Sequence, residues 1–205
     1  MLHILRYGQI EGETEVLRAM FAARKHVFVD LLKWDVPVIA GTYEVDQFDN
    51  AHATYIVLAD ARGRHLGSAR LLPTIRPHIL DSLYPQLCED GPPRGPNLFE
   101  ITRFCLDRRL TARERREVRN ALVAGLVEHA LQTGIQGYSA VADIGWFQQI
   151  LAFGWRCLPL GLPRTVDGRT LAALRIDIGA DTPARLAAAG IVAGGQLADA
   201  LRAAA

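Results

Sequence analysis

The sequence predicts an α/β domain, and two observations lead to this prediction. Apolar residues recur at every second position in some segments, as in strands, and at every third or fourth position in others, as in helices. The chain has 205 residues, of which 50% are hydrophobic, enough to bury one core at the upper end of single-domain size. We therefore expect one domain over residues 1–205.

The first half of the chain is predicted to hold one long helix among short strands. In the helix, apolar residues such as Met20 and Phe28 return at helical spacing. The turn at residues 61–64 contains Gly63 and joins two apolar runs, a pattern typical of a hairpin. The predicted elements are a strand at 2–6, a helix at 13–33, an irregular stretch at 36–42, and strands at 55–60 and 65–72.

The second half contains the best-defined helix. Thr111 and Glu114 have the spacing of a capping box, and Gly134 is a suitable helix end. The Gly- and Pro-rich stretch at 90–96 predicts a loop. The predicted elements are a helix at 81–87, strand 99–106, helix 111–134, strand 137–142, helix 146–153, strands 156–160 and 170–178, and an Ala-rich helical tail at 182–205 interrupted at Gly194 and Gly195.

Composition excludes several classes of function. A net charge of +1 does not favour nucleic acid or an anionic membrane as a partner, and no apolar run approaches the roughly 18 residues of a membrane span. The cysteines, Cys88, Cys105 and Cys157, are odd in number and far apart, which favours reduced thiols and a cytoplasmic location. No metal-ligand spacing, GxSxG motif or Walker loop is present, so we expect no metal site.

Arg24 is a charge where the pattern predicts an apolar residue. It lies one helical turn from both Met20 and Phe28, on the face that should be buried. An unpaired buried charge costs several kcal/mol or more, on the order of its desolvation energy. Arg24 should therefore contact a carboxylate of the protein or of a substrate.

An ordered set of charged and aromatic residues resembles the LuxI-type acyl-homoserine-lactone synthases. The matching motifs are Arg24-x3-Phe28-x5-Trp34, Glu44-x-Asp46-x2-Asp49, Arg70-Leu-Leu-Pro-Thr74 and Glu100-x2-Arg103-Phe104. The resemblance implies the acyltransferase fold of the GCN5-related N-acetyltransferases, a central mixed twisted sheet flanked by helices, with splayed strands forming the acyl and phosphopantetheine cleft.

The resemblance also implies the reaction. S-adenosylmethionine would be the amine donor, and an acyl carrier protein or acyl-CoA would deliver the acyl chain as a thioester. Amide formation followed by lactonisation would release methylthioadenosine and a quorum-sensing signal, without a prosthetic group.

Glu100 is the candidate base for the α-amine of S-adenosylmethionine. A free α-amine has a pKa near about 8, so only modest assistance is needed. A salt bridge between Glu100 and Arg103 is the structural alternative. Strict strand alternation would place these two residues on opposite faces, and a β-bulge would bring them to one face.

The resemblance implies roles for the remaining charged and aromatic residues. Arg24 and Arg103 would clamp the substrate carboxylate or the carboxylates that shape its pocket. Asp46 and Asp49 would bind substrate charge or anchor Arg24 and Arg70. The predicted catalytic set is Glu100, Arg103, Arg70, Asp46 and Asp49, and the predicted S-adenosylmethionine-binding set is Arg24, Phe28, Trp34, Asp46 and Arg103. For Phe28 a core position is the stronger alternative.

Two further sets concern the acyl donor. Residues expected to line the acyl chain, which are equally good core residues, are Phe104, Val141, Trp146, Ile150 and Leu151. Residues expected to bind a phosphate or an acidic carrier are Arg108, Arg109, Arg113, Arg115 and Arg116, and a solvated helix face is an equal alternative. Some relatives that use 3-oxo-acyl chains carry a threonine on the second strand; Ser139 stands in that stretch here, which indicates an unsubstituted or atypical chain unless Ser139 replaces the threonine.

Two other functions remain open. An ordinary acyl-CoA N-acyltransferase would use the same fold on another amine, without the charged network. A catalytically inactive homologue would only bind its ligands, but the presence of Glu100 argues against it.

Overall fold

The computed structural model describes residues 1–6 and 14–192. Two compact units divide the described chain: unit 1 comprises residues 1–70 and 103–125, and unit 2 comprises residues 71–102 and 126–192. The helices are α1 (Thr14–Arg24), a π-helix (Lys25–Leu31), α2 (Ile79–Ser82), a 3₁₀-helix (Pro85–Leu87), α3 (Ala112–Thr133), α4 (Ile144–Leu151) and α5 (Thr182–Ala188). The strands are β1 (Leu2–Arg6), β2 (Val38–Ile39), β3 (Tyr43–Glu44), β4 (Thr54–Ala59), β5 (His65–Pro73), β6 (Leu98–Leu106), β7 (Gly137–Asp143), β8 (Arg156–Pro159), β9 (Arg164–Val166) and β10 (Arg169–Asp177).

Unit 1 is built on antiparallel strands. β1 pairs with β4 from Leu2↔Leu58 to Arg6↔Thr54, and β4 neighbours β5. All six residues of β4 are buried, because α1 packs on one of its faces. Met20 and Phe21 of α1 belong to this core.

Unit 2 contains the parallel pair of the sheet, so the sheet is mixed as predicted. β6 pairs with β7 in parallel from Leu98↔Gly137 to Ile101↔Ala140, whereas β7, β8 and β9 are antiparallel to β10. β7 continues past the parallel register to Asp143, which pairs with Leu171 of β10. β7 and β6 therefore part after Ala140, as expected of splayed strands.

A close approach of two segments in unit 2 requires glycine at position 161. The Glu89 N–H donates to the Leu160 carbonyl at 2.8 Å. A Cβ on Gly161 would lie 2.7 Å from the Leu87 carbonyl oxygen, which is too close for any other residue. The chain after β8 is thereby fixed against the segment that follows the 3₁₀-helix.

Several predicted elements differ from the structure. The first helix is not α-helical to Lys33: it changes to a π-helix after Arg24, and the Leu32 N–H bonds five residues back to Val27. The stretch 36–42 is not wholly irregular, because Val38 and Ile39 pair with Glu44 and Tyr43 across a turn with positive φ at Ala40 and Gly41. Position 13 lies outside the described residues.

Proline and capping residues explain the other differences. The predicted helix at 81–87 is two short helices, since Pro85 cannot continue the hydrogen bonding of α2. The helix predicted at 146–153 begins earlier, because Asp143 caps it by accepting from the Gly145 N–H at 3.0 Å. β9 was not predicted. α5 confirms a helix at the start of the tail, whereas Gly194 and Gly195 lie outside the described residues. None of the described helices is long and apolar enough to cross a membrane.

Candidate active site

Six charged side chains of unit 1 form a closed ring of ion pairs. Each guanidinium contacts two carboxylates, and each carboxylate contacts two guanidinium groups. In ring order the members are Glu44, Arg24, Asp49, Arg70, Asp46 and Arg103. The N–O distances round the ring, starting from Glu44–Arg24, are 2.5, 2.9, 2.8, 2.6, 2.7 and 3.0 Å.

Two of the contacts are bidentate. Arg24 donates to both oxygens of Asp49 at 2.9 Å, and Arg70 donates to both oxygens of Asp46 at 2.6 and 3.0 Å. Such paired bonds hold the planar guanidinium in one orientation. The ring is therefore a rigid arrangement rather than a set of mobile charges.

The ring is buried but has one less enclosed edge. The side chains of Glu44, Asp49 and Arg70 are 0% exposed, whereas those of Asp46 and Arg103 are 5% and 9% exposed. Buried ions are tolerated only with full pairing, which the ring supplies. A ligand that reaches the ring should therefore meet Asp46 and Arg103 first.

Pairing within the ring favours the charged forms of Arg24 and Asp49. Burial opposes the charge of Arg24, but hydrogen bonding to Asp49 and attraction by Asp49 and Glu44 outweigh it, so the pKa of Arg24 is raised. Burial also opposes ionisation of Asp49, yet the hydrogen bond and charge of Arg24 and the charge of Arg70 hold its pKa well below the usual range. Arg24 and Asp49 therefore stay charged over the physiological pH range.

Local turn chemistry places the carboxylates. The Asp46 N–H donates to Asp49 Oδ2 at 2.9 Å, and the Phe48 N–H donates to Asp46 Oδ1 at 2.8 Å. These bonds close the turn 46–49, in which aspartate side chains replace backbone acceptors. These backbone bonds orient both carboxylates toward the arginines.

These contacts place each predicted charged residue beside a protein partner. Arg24 contacts protein carboxylates, and so does Arg103. Asp46 and Asp49 contact arginines, and Arg70 contacts both of them.

Three aromatic residues around the ring were not predicted. The Tyr55 hydroxyl donates to Asp49 Oδ1 at 2.9 Å, and burial with the nearby Asp49 charge raises the pKa of Tyr55. The ring of Phe21 lies 5.1 Å from Arg24 Cζ, and that of Phe48 lies 5.9 Å from Arg70 Cζ. Each occupies an apolar position, so the sequence pattern gave no signal for them.

Phe28 and Trp34 form a stacked pair beside Arg103. Their centroids are 4.6 Å apart at 19°, and Arg103 Cζ lies 5.6 Å from one and 5.7 Å from the other. Because these two distances are nearly equal, the guanidinium lies at the side of the stack rather than above an outer face. Phe28 is buried as a core residue, while Trp34 is half-buried.

Arg103 interrupts the regular alternation of β6. Its φ is +49°, in the left-handed region that few non-glycine residues adopt. A residue of this kind within a strand is typical of a bulge and redirects the following side chains. The backbone of β6 is therefore irregular within the segment where a β-bulge was considered.

Glu100 lies in unit 2 and caps α2. Its Oε2 accepts from the Ile79 N–H at 2.8 Å and its Oε1 from the Leu80 N–H at 3.0 Å. The residue is 0% exposed. Both bonds favour the carboxylate form, because N–H groups can only donate.

A polar row crosses the sheet beside Glu100. Glu100, Ser139 and Arg175 are register partners on β6, β7 and β10, so their side chains lie on one face. Ser139 is 2% exposed, and its Oγ has no hydrogen-bond partner among the described residues. His78 Nε2 is a second such atom in unit 2. Buried polar atoms usually have a hydrogen-bond partner, so each of these two atoms could bind one more polar group.

The predicted acyl-chain residues have different environments. Val141 packs against an apolar cluster of unit 2 that contains Leu80 and Ala173. Ile150 is buried and its carbonyl accepts from the Trp155 indole at 2.9 Å, while Trp146 packs edge-on against Phe153. Leu151 is exposed, and Phe104 is half-buried in unit 1.

Much of the predicted carrier-binding cluster is paired internally. Arg109 contacts Asp107 and Arg113 contacts Glu117, at 2.6 and 2.9 Å. Glu114 closes the capping box with Thr111. Arg115 donates to the carbonyl of Arg108, and Arg116 is exposed. The exposed pairs favour the solvated-face interpretation for Arg109 and Arg113.

The thiols are poor nucleophiles. Burial raises the pKa of Cys105 to about 12 and that of Cys157 to about 11, and burial with the charge of Glu100 raises that of Cys88. Acyl transfer through a cysteine is therefore disfavoured. Among the described residues, no group of three or more His, Cys, Asp or Glu side chains is arranged to hold a metal ion.

Known proteins are similar to this chain in both sequence and fold. A family model described as autoinducer synthase matches residues 9–186. An acyl-homoserine-lactone synthase of Ralstonia nicotianae is 34% identical over 179 residues, covering 84% of this chain and 87% of the relative. Among solved structures, the CoA-dependent acyl-homoserine lactone synthase MesI has 29% identity and a TM-score of 0.84, covering 97% of this chain and 100% of that chain.

A second solved structure includes ligands. BjaI, a CoA-dependent acyl-homoserine lactone synthase with S-adenosylmethionine and isopentyl-CoA, has 28% identity and a TM-score of 0.82, covering 100% of this chain and 98% of that chain. The predicted acyltransferase fold is confirmed by these likenesses.

Proposed function

The chain belongs to the autoinducer synthase family and is an acyl-homoserine-lactone synthase, and we propose that its charged ring shapes the S-adenosylmethionine pocket while Glu100 accepts the amine proton. The ring carries this proposal. Replacing buried ion pairs by apolar residues is often neutral or stabilising, so stability alone does not require six buried charges. A fixed polar wall for a charged substrate does require them.

The first step joins the amine and the acyl group. The α-amine nitrogen attacks the thioester carbonyl carbon, a C–N bond forms, and the C–S bond breaks. The nitrogen proton passes to Glu100, directly or through a water, and Glu100 returns it, directly or through solvent, to the departing thiolate, which leaves as a thiol. Because the free amine titrates near about pH 8, a carboxylate beside it supplies sufficient assistance.

The second step closes the lactone. An oxygen of the substrate carboxylate attacks the side-chain carbon next to the sulfonium, a C–O bond forms, and methylthioadenosine leaves with the C–S electron pair. No proton transfer is needed, so the protein mainly holds the reactive conformer, which is worth roughly 7 to 11 kcal/mol in favourable cases.

The accessible edge of the ring is the part that we assign to substrate. Asp46 and Arg103 provide one carboxylate and one guanidinium there, complementary to an ammonium and a carboxylate. The outer faces of the Phe28–Trp34 stack suit the sulfonium by cation–π attraction, since Arg103 lies beside the stack. Arg24, Arg70 and Asp49, together with Glu44, hold this edge in place.

We propose a CoA thioester as the acyl donor. MesI and BjaI, whose folds this chain shares, are both CoA-dependent. Arg108, Arg115 and Arg116 remain candidates for its phosphates, and Phe104, Val141, Trp146, Ile150 and Leu151 for its acyl chain. An acyl carrier protein is the other donor to test. We also place the enzyme in the cytoplasm, in keeping with its three free cysteines.

The test is direct synthesis. The purified full chain is incubated with S-adenosylmethionine and a panel of acyl-CoA and acyl-carrier-protein thioesters, and the products are read by mass spectrometry. We expect the homoserine-lactone fragment together with equimolar methylthioadenosine. Acylation of another amine without methylthioadenosine would indicate an ordinary acyltransferase, and binding without turnover would indicate an inactive homologue.

A further inference from the structure

The imidazole of His78 holds the turn before α2. His78 Nδ1 lies 2.9 Å from the Arg76 carbonyl oxygen and 3.4 Å from Asp81 Oδ1, and because both oxygens only accept, we assign the tautomer that has its proton on Nδ1. The imidazole is 0% exposed. A buried hydrogen bond of this kind fixes both the ring and the backbone to which it is attached.

Asp81 closes the same turn from the other side. Asp81 Oδ1 accepts from the His78 N–H at 2.8 Å and from the Ser82 hydroxyl at 2.7 Å. His78 itself is extended, with φ −141° and ψ 173°, and the chain becomes helical directly after it. The direction of the next two N–H groups is thereby set by His78 and Asp81.

Those two N–H groups are the ones that bind Glu100. Ile79 and Leu80 follow His78 and donate to the two carboxylate oxygens. We propose that His78, through its Nδ1–H bond to Arg76, is the positioning residue that holds these donors on Glu100 and so keeps the base aligned and ionised. This inference rests on the proposed role of Glu100 as the base.

The physical consequence is a pH effect on catalysis. N–H groups that bind a carboxylate favour its charged form, so loosening them makes the carboxylate easier to protonate. Cys88 feels the charge of Glu100, Ser139 and Arg175 are aligned with it on β7 and β10, and His78 and Asp81 bond each other at the turn that carries its two donors. Of these, only His78 bonds the turn through its side chain to a neighbouring carbonyl.

Three variants separate the two nitrogens of the ring. An asparagine amide can reach the place of Nδ1, and a glutamine amide can reach that of Nε2. We expect His78→Ala to lower kcat about 10- to 100-fold, as misalignment of about 1 Å does, with KM for S-adenosylmethionine unchanged. Its acid limb of kcat/KM against pH should move up by about one pH unit. His78→Asn should restore both, and His78→Gln should not.

Amide hydrogen exchange supplies an independent readout. In the folded full-length His78→Ala protein, the Leu80 amide should exchange faster, while amides of β4 keep their protection. The amine of S-adenosylmethionine titrates identically with every variant, so a difference in the acid limb belongs to the enzyme. Circular dichroism establishes that each variant is folded.

The outcomes distinguish this inference from the role of Glu100. An inactive Glu100→Gln protein beside a His78→Ala protein with normal kcat and pH profile would overturn the positioning role alone. Restoration by Gln but not by Asn would assign the function to Nε2 and also overturn it. An active Glu100→Gln protein would remove the base itself, and with it the premise.

Discussion

The two units satisfy their buried carboxylates in opposite ways. In unit 1, Glu44, Asp46 and Asp49 meet three guanidinium groups in a closed ring. In unit 2, two neutral backbone N–H groups donate to Glu100. Cations and N–H groups both favour the charged form of a carboxylate, but cations supply a full compensating charge and N–H groups supply only neutral dipoles. We therefore propose that the ring provides structure and electrostatics and that Glu100 accepts the proton.

The largest expected effect comes from removing the base. Glu100→Gln keeps the size of the side chain but should lower kcat about 10²- to 10⁴-fold, the range typical of general base catalysis. The amide also turns one donor towards a backbone N–H, so we expect about 1 to 3 kcal/mol of destabilisation. Steady-state kinetics and urea unfolding measure the two effects. Near-normal acylation would reverse the assignment of roles.

Removing one arginine from the ion-pair ring tests the role of unit 1 in this comparison. Arg24→Met leaves Glu44 and Asp49 short of a partner, so the free energy of unfolding should fall by about 3 to 5 kcal/mol. The matched control is Arg156→Met, which removes an exposed pair with Asp181 and should cost about 0 to 1 kcal/mol. Stability unchanged by Arg24→Met, with activity lost, would mean that the ring serves catalysis alone.

The pH dependence of the Arg24→Met protein sharpens the same point. Asp49 has a lowered pKa in the folded state, so its stabilising contribution is present above its unfolded pKa and is lost as pH falls towards the folded value. Without Arg24 this contribution should shrink. The acid side of the stability curve, measured by urea unfolding, should therefore be flatter than in the wild type.

His65 extends the comparison to a buried group without a charged partner in hydrogen-bond contact. It bonds Ser68, its Nδ1 has no partner among the described residues, and burial lowers its pKa to about 4. The unfolded state binds the extra proton, so stability should fall by about 3 kcal/mol between pH 6.5 and pH 4. His65→Gln should flatten this part of the curve, and the exposed His52→Gln should not.

Ser139 gives the smallest effect. Its unpartnered buried hydroxyl costs about 1 to 3 kcal/mol, so Ser139→Ala should leave the protein as stable as before or slightly more stable. If Ser139 binds a substituent of the acyl chain, turnover of 3-oxo thioesters should fall while that of unsubstituted thioesters persists. Equal rates for both would show that the hydroxyl takes no part in acyl selection.

Some features of the fold and site were predicted from the sequence, and others were not. The helical spacing around Arg24 was enough to predict a buried guanidinium and a carboxylate partner, and the spacing of Thr111 and Glu114 predicted a capping box that is present. The hairpin of β2 and β3 was missed, because two-residue strands have no repeat to detect. The division of roles between substrate clamps and ring members was likewise left open, since both use the same residue types.

The sequence by itself determined the residue types, the order of the longer strands and helices and the family, because these follow from local periodicity and ordered spacing. Only the tertiary structure decided which charge meets which. Arg103 and Glu44 are 59 residues apart, and no repeat connects them. It alone also revealed the donors to Glu100, because every residue except proline carries a backbone N–H and only folding aims two of them at one carboxylate.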